Sequence, residues 1–564
     1  MDNVRLFLVA TVAFLGLMLW QAWQEDYGRP ALSAPTTPSV ANPQATANDT
    51  PAVPAATATS TANDLPSPPV PDANASATAP AVPQTELQPN STSGKSISVQ
   101  TDVFDLEIST VGGSITVARL RDYPYDLKAP DVPIQLMGES PGRIYVSQGG
   151  LAGKGDLPTH HTIYRSDADR YVMREGEQEL SVSLYYTTPQ NVVVEKRFRF
   201  HPDSYVINVD YVVNNQSTET IRAHQYEQLK RNEESSRDGL VYTFTGPVLS
   251  TPEARFEKYD LDDLADLPLD ISATESWVGI IQHYFVAAVL PPPQPAANFY
   301  SKIVSPTVYL VGFLSEGQEI PSGAAQTFSS RMYIGPKRHD RLSTVAPGLE
   351  LAVDYGMLWF IAKPLFVVLS FIHDLSGNWG YAIILLTILL KLLFYPLSAA
   401  GYRSMANMRR VQPRMMALKD RYGDDRNALN QAMMKLYKDE KINPLGGCFP
   451  ILIQIPVFIA LYWVLLESVE MRQAPFIAWI DDLSAKDPWF VLPLLMGISM
   501  WAQQKLNPAP LDPVQAKVMQ FLPYVFTIFF AFFPSGLVLY WLVNNILSIA
   551  QQWRITTLIE KSGA

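Results

Sequence analysis

Apolar residues gather in runs along this chain, and the runs are long enough to cross or line a lipid bilayer. One run opens the chain, from Leu6 to Trp20. The runs that follow Asp354 are Leu358 to Ile372, Gly380 to Leu397, Phe449 to Leu466, Trp489 to Ala502, Met519 to Phe533 and Gly536 to Ala550. A hydrocarbon core of about 30 Å takes about 20 helical residues. The pattern predicts a polytopic α-helical membrane protein.

The first run predicts an N-terminal transmembrane anchor over residues 1–27. Trp20 and Trp23 stand where a cleavable signal peptide needs small residues, so we expect a retained anchor with a cytoplasmic N-terminus. Residues 28–95 are mostly Pro, Ala, Thr and Ser, with few large apolar side chains. Such a stretch cannot bury enough surface to offset the entropy of ordering, and we predict a disordered tether.

Between residues 96 and 345 the pattern changes to the alternation of β-strands. Apolar and charged residues alternate from Val192 to Phe200, and alternation resumes from Tyr205 to Val213 after the turn residues His201 to Ser204. These two runs predict an antiparallel hairpin. Similar short runs recur, such as Tyr284 to Leu290, with few helical patterns between them. We therefore expect an antiparallel β-sandwich domain over 96–345.

Charge predicts the orientation of the bundle. The loop from Ser398 to Cys448 holds ten Lys or Arg residues against five Asp or Glu residues, so the positive-inside rule places it in the cytoplasm. With the anchor entering from the cytoplasm, the β-sandwich is periplasmic and the run from Leu358 to Ile372 cannot span, because the basic loop would then lie outside. We predict an interfacial amphipathic helix over 354–377, with a buried seam against the β domain as the alternative.

The remaining runs predict a core over 378–564 with five transmembrane helices and a cytoplasmic C-terminus. Within the basic segment 398–448, Ser404 to Tyr422 and Asn427 to Lys441 carry helical patterns separated by turn residues. They predict a cytoplasmic helical hairpin, and a solvated loop is the alternative.

Lys391 is the one charge well inside a predicted span. A lysine there costs free energy unless it reaches the interface or faces a wet cavity. Polar residues on the other spans favour the cavity, although each alone also fits an interhelical hydrogen bond. They are Thr387, Gln454, Gln503, Gln504, Asn544, Asn545 and Ser548. The last two spans are dense in aromatic residues, which suit either a lipid-facing surface or a surface along which another helix slides.

Other patterns argue against catalysis, metal binding and nucleic-acid binding. His160 and His161 lack a spaced third ligand, so we expect two exposed loop histidines. The glycine-rich run from Gly149 to Gly155 lacks the Ser or Thr of a phosphate loop, and we expect a flexible turn. The single cysteine excludes an internal disulfide, and the net charge of -11 argues against a chain that wraps nucleic acid. No cofactor and no metal are expected.

Three segments carry a resemblance to a known family. They are Asn443 to Pro450, the run from Leu466 to Phe476, and Phe533 to Tyr540. On these motifs and on its layout, the chain resembles the YidC family of membrane protein insertases, in the long form found in Gram-negative inner membranes. The resemblance implies a hydrophilic groove that receives the polar tail of a substrate while the apolar segment slides into the bilayer.

The resemblance also implies site residues and partners. The family's groove arginine is replaced here by Lys391, which keeps a charge but not a bidentate fork. The implied groove comprises Lys391, Thr387, Gln454, Gln504, Tyr540, Trp541 and Asn544. The implied substrate slide comprises Ile455, Phe458, Phe529, Phe530 and Phe532. The implied partners are nascent membrane proteins, the Sec translocon with its accessory subunits, the ribosome, the signal recognition pathway and the lipid bilayer.

Two rival functions remain at this point. An intramembrane protease would use Lys391 or His373 with Ser535, although Ser535 belongs to an outer turn and Lys391 lies near the inner face. A small-solute transporter would fit a bundle with a polar interior, but the spans show no paired inverted repeat.

Overall fold

The computed structural model describes residues 94–154, 156–233, 243–423, 425–440, 449–507 and 513–562. The predicted anchor, almost all of the predicted tether, and the motif residues 443–448 with Cys448 lie outside the described residues.

Strands fill the first part of the described chain. Numbered in order, they are β1 Ser96–Gln100, β2 Phe104–Ser109, β3 Ser114–Asp126, β4 Ala129–Ser140, β5 Arg143–Lys154, β6 Arg165–Ser166, β7 Arg170–Val172, β8 Leu180–Thr187, β9 Val192–Phe200, β10 Val206–Asn215, β11 Ile221–Asn232, β12 Gly246–Ser250, β13 Glu257–Lys258, β14 Asp270–Ala273, β15 Trp277–Ile281, β16 Phe285–Leu290, β17 Ala297–Ser305, β18 Val308–Leu314, β19 Gln318–Ile320 and β20 Ala325–Pro336. Two short helices, α1 Leu261–Asp266 and α2 His339–Val345, accompany them.

The strands form two sheets. One has the order β14-β17-β18-β11-β5-β4-β3-β2-β1-β7, with β19 beside β11, and the other has the order β13-β12-β15-β16-β20-β10-β9-β8-β6. Apolar residues of both sheets belong to one buried core. The predicted β9–β10 hairpin is confirmed, with Phe200 opposite Ile207 and Val192 opposite Asn215. Its inward positions are buried in alternation along β9, as the period-2 pattern requires.

Two local predictions in this region are wrong. The glycine-rich run is not a flexible turn, because Gly149 and Gly150 lie inside β5 and pair with β11. His160 is not exposed: 2% of its surface is accessible, and its Nδ1 atom lies 2.7 Å from the Tyr226 hydroxyl. Only His161 is exposed, as expected. In both cases the cause is a partner on β11, more than 60 residues away along the chain.

Gly149→Ala is expected to destabilise the β domain by about 1–3 kcal/mol, as overpacking does. A Cβ atom at Gly149 would lie 2.0 Å from the Glu227 Oε2 atom, and the buried Glu227 carboxylate is already hydrogen-bonded by the Tyr211 hydroxyl at 3.0 Å. Thermal unfolding of the purified full chain measures the change. Gly138→Ala on β4, where the added Cβ would meet the flexible end of the half-buried Gln135 side chain, is the control and is expected to cost less. Unchanged stability of Gly149→Ala would contradict the expectation.

The second part of the described chain is helical. Its helices are α3 Trp359–Ser376, α4 Trp379–Leu393, α5 Tyr395–Tyr422, α6 Arg426–Asp439, α7 Phe449–Glu467, α8 Val491–Leu506, α9 Pro513–Phe530 and α10 Ser535–Ser562. The run predicted from Gly380 to Leu397 breaks at Phe394, and α4 and α5 meet there at a bend of 68°. Pro396 lies in the first turn of α5, where its missing N–H costs no helical hydrogen bond. The first hairpin helix therefore begins at Tyr395 rather than at Ser404.

One helix of the described residues, Gly356–Ser376, is long and apolar enough to cross a membrane, and the bent pair α4 and α5 is a second if it counts as one span. The helix contacts α4 and α7 and buries Ala362, Leu365 and Leu369. Its other side exposes Phe371 and Leu375. Its interfacial placement stays a prediction, since length and apolarity alone fit both placements.

Two parts of the chain are compact by themselves: one includes the described residues 410–423 and 425–440, and the other includes the β domain and the remaining described helices. In the first part, α6 begins at a cap in which Asp425 accepts hydrogen bonds from the backbone N–H groups of Asn427 and Ala428. Arg414 donates to the Glu440 carboxylate at 2.5 Å. Two helices are therefore present in the segment for which a helical hairpin was predicted.

Candidate functional site

A polar cavity lies between α4, the start of α5, α7, α8, α9 and α10. Its inner part is small, about 10 Å³, which holds about one water. The inner part is lined by Thr387, Leu390, Lys391, Phe394, Leu397, Ser398, Ile453, Gln454, Val457, Tyr540 and Asn544. The outer part is about 440 Å³ and shares Ser398, Gln454, Tyr540 and Asn544 with the inner one. The other residues of the outer part include Gly401, Tyr402, Met405, Ile455, Phe458, Gln503, Gln504, Trp541, Asn545, Ser548 and Gln552.

Lys391 is the charge of the inner cavity. Its side chain extends from the last turn of α4 and 6% of the residue is exposed. The Nζ atom donates to the Ser548 Oγ atom at 2.7 Å, and the Ser548 hydroxyl in turn donates to the Asn544 carbonyl at 2.7 Å. No carboxylate of the described residues lies within 4.0 Å of Nζ. A buried ammonium met by a neutral hydroxyl keeps a strong attraction for an anion that enters the cavity.

Neutral polar groups and rings hold the cavity wall. The Gln454 Nε2 atom donates to the Asn544 Oδ1 atom at 2.5 Å, which ties α7 to α10. The Thr387 hydroxyl donates to its own helix, to the Ile383 carbonyl at 2.6 Å, so its lone pairs remain available. Phe458 stacks on Tyr540 with centroids 6.0 Å apart and meets Trp541 edge-on at 4.5 Å. A wall of amides, hydroxyls and aromatic faces suits a chain with both polar and apolar parts.

Further polar contacts fix α10 against α8. The Asn545 Nδ2 atom donates to the Ser499 Oγ atom at 3.1 Å. The Gln552 Nε2 atom donates to the Asn507 Oδ1 atom at 3.0 Å and to the Leu506 carbonyl at 3.2 Å. These hydrogen bonds between α10 and α8 therefore hold one side of the outer cavity in place.

The structure brings the predicted groove residues together. Lys391, Thr387, Gln454, Tyr540 and Asn544 line the inner part, and Gln504 and Trp541 line the outer part. Sequence reasoning missed Ser398, Gly401, Tyr402 and Met405, which reach the cavity because the chain bends after α4. A proline soon after a charged helix end was the available signal for that bend.

The predicted slide residues do not lie together. Ile455 and Phe458 line the outer cavity, whereas Phe529 and Phe532 are 44% and 53% exposed and line neither part. Phe530 is buried, with its ring 4.8 Å from the ring of Trp541. Their role as a slide stays a prediction.

The serine and the bases of a protease are not paired. The Ser535 hydroxyl donates to the Ala485 carbonyl at 2.7 Å. Lys391 donates to Ser548, and the His373 ring stacks on Trp379 at 4.0 Å. Groups of three metal-ligating side chains are not found among the residues that the structure describes.

The fold and the cavity define a class: a protein in which an apolar helical bundle with a polar interior carries a large, mainly antiparallel β-sandwich. The profile of the "YidC periplasmic domain" matches residues 96–368, and that of the "60Kd inner membrane protein" matches residues 371–562. The chain belongs to the YidC family of membrane protein insertases, which confirms the resemblance and the predicted fold class. It is therefore a bacterial inner-membrane protein with a periplasmic domain.

Full-length relatives agree with this assignment. The chain is 49% identical to the membrane protein insertase YidC of Thioalkalivibrio sulfidiphilus, over 100% of both chains. It is 46% identical to that of Methylococcus capsulatus, again over 100% of both. Among solved structures, an active YidC insertase with its first transmembrane domain resolved matches 81% of this chain and 92% of its own, at 18% identity and a TM-score of 0.37. The comparisons give no support to the protease or the transporter.

Proposed function

We propose that this protein inserts membrane proteins by receiving the polar part of an incoming segment in the cavity at Lys391. One observation carries the proposal: a buried ammonium without a carboxylate partner in the described residues donates to Ser548, a residue of the 440 Å³ cavity that amides and aromatic rings line. An acidic side chain of the substrate pairs with the Lys391 ammonium in the cavity. Neither of the two charges is then buried without a counter-charge. The apolar part of the substrate passes Ile455 and Phe458 on its way into the lipid. No covalent step is required.

The cavity lies on the side of the bundle where α5 begins and α8 ends. At the opposite end, hydrogen bonds tie the start of α4 to the loop between α7 and α8 and fix that loop, since Asn378 donates to the Pro475 carbonyl at 3.2 Å and the Trp479 indole to Asp487 at 3.0 Å. This asymmetry supports the predicted topology, with the N-terminus, the C-terminus and the basic segment 398–448 in the cytoplasm. Entry from the cytoplasm suits a substrate delivered by the ribosome and the signal recognition pathway, with or without the Sec translocon and its accessory subunits.

Site-specific photocross-linking to a stalled nascent chain tests the cavity. A photoreactive residue at Gln504, which lines the outer cavity, is expected to capture the chain several-fold more efficiently than one at Lys505. Lys505 is the matched control because it is the next residue on α8 and is exposed, with its Nζ atom 5.2 Å from the Trp501 ring centroid. Equal yields at the two positions would show that the chain passes elsewhere. Repeating the measurement without the Sec translocon separates the two delivery routes.

A further inference from the structure

The β3–β4 hairpin ends in a tip that carries exposed apolar side chains. In this tip, residues 125–132, Tyr125 is 70% exposed, Leu127 41% and Val132 52%. Pro124 pairs with Pro133 and Asp126 pairs with Ala129, with an irregular register between the two pairs, so Tyr125 and Val132 lie on the two strands of the tip. Leu127 lies in the turn that joins β3 to β4. The hairpin therefore presents an aromatic and two aliphatic side chains to its surroundings.

The base of the tip is bonded to the helical bundle. The Arg472 Nη2 atom donates to the Pro124 carbonyl at 2.7 Å and to the Tyr125 carbonyl at 3.3 Å. The Gln473 Nε2 atom donates to the same two carbonyls at 3.1 and 3.4 Å. Arg472 also lies over the Phe285 ring, 5.8 Å from its centroid, which adds a contact to β16. The tip is therefore held against the loop between α7 and α8.

That loop has the composition of a membrane–water interface. It joins two helices of the membrane core and exposes Ile477 by 52%, Trp489 by 68% and Phe490 by 41%. Bulky aromatic residues at the ends of membrane helices lie at the level of the lipid headgroups. Because the tip is bonded to this loop, it lies at the same level.

We propose that residues 125–132 bind the zwitterionic headgroup region of the periplasmic leaflet. The backbone of the tip is bonded to Arg472 and Gln473 of the same loop that exposes Ile477, Trp489 and Phe490, which makes lipid the occupant rather than a second copy of the chain. A tyrosine ring and a lysine stem, here Tyr125 and Lys128, are the side chains that combine an apolar body with a polar end. Asp126 and Asp131 outnumber Lys128, so apolar burial and not attraction to anionic lipid drives the contact.

Nitroxide accessibility in the full-length protein tests the proposal. In a Cys448→Ser background, Leu127→Cys carries the label, and the protein is placed as a single copy in a phosphatidylcholine nanodisc. We expect the label at 127 to collide with oxygen several-fold more than with a water-soluble nickel chelate. Glu139→Cys is the matched control: it is exposed near the far end of β4, ten residues beyond Ala129 at the start of that strand, or about 33 Å along it at 3.3 Å per residue. It is expected to favour the chelate.

Three results would overturn the proposal. In the first, the label at 127 collides more with the nickel chelate than with oxygen, as the label at 139 does. In the second, the label at 127 is protected from the chelate only when two copies of the protein share a disc. Protection that appears only after phosphatidylglycerol is added would instead indicate charge-driven binding. Val132→Cys repeats the measurement if the Leu127 variant fails to fold, and the same preference for oxygen is expected there. Insertion activity is not the readout, so the result is independent of the proposed function.

Discussion

Lys391→Glu is expected to lower the insertion of a small membrane protein with an acidic translocated tail at least ~10-fold, in vesicles that contain only this insertase. Two unit charges 4 Å apart interact by about 4 kcal/mol at an effective dielectric constant of about 20, and about 1.4 kcal/mol corresponds to a factor of ten. The substitution turns that attraction into a repulsion inside a cavity where 6% of Lys391 is exposed. Protease protection of the translocated tail measures the yield.

Two further measurements separate charge from folding. Lys391→Arg keeps the charge and is expected to retain most of the activity, with Ser548 still in reach as an acceptor. A substrate whose acidic tail residues are replaced by lysine is expected to insert better with Lys391→Glu than with the parent protein, because the charges are then complementary again. A merely misfolded variant could not show that reversal. Normal insertion of the acidic substrate by Lys391→Glu would refute the role of the charge.

The polar residues of the cavity could be predicted from the sequence because each of them interrupts an otherwise apolar run. Lys391 is the single lysine of its apolar run, and Gln454 and Asn544 are polar residues within two other apolar runs. All three can be recognised without a structure. The family resemblance then supplied Tyr540 and Trp541. The order of the strands and the contribution of α5 could not be predicted in this way. Both depend on where the chain turns in space: the bend at Phe394 leaves the apolar pattern uninterrupted, and Pro396 signals a break without giving its direction.

The errors in the β domain have the same origin. Glycines are depleted in strands, so Gly149 and Gly150 predict a turn when only the sequence is considered. In the structure, the Glu227 carboxylate occupies the space that a side chain at Gly149 would need. A histidine pair predicts an exposed loop unless the Tyr226 hydroxyl is known to lie beside His160. Periodicity indicates which face of an element is buried. The strand conformation at Gly149 and the burial of His160 depend instead on single partner residues on β11.

The contact between the β domain and the bundle also depends on partners far apart in the chain. Lys337, just after β20, donates to the Glu467 carboxylate at the end of α7 at 2.8 Å, across 130 residues. The two side chains are 2% and 5% exposed. Beside them, the His283 Nε2 atom lies 2.9 Å from the Leu466 carbonyl. A buried ion pair of this kind contributes little to the free energy of unfolding compared with apolar residues of the same shape. Removing one partner, however, leaves the other charge buried and unpaired, which is strongly destabilising.

Lys337→Met is therefore expected to lower the free energy of unfolding by about 3–5 kcal/mol, because Glu467 is left buried without its cation. The double variant Lys337→Met with Glu467→Leu is expected to recover most of that loss, since no charge remains to be solvated. Thermal unfolding of the full chain in nanodiscs measures both, and the cycle gives the coupling. Arg338→Met is the matched control at the next residue: its partner Asp340 is 61% exposed, and surface pairs contribute at most about 1 kcal/mol. If Lys337→Met costs no more than Arg338→Met, the buried pair does not fasten the β domain to the bundle. If the double variant is as unstable as the single one, shape rather than charge holds the contact.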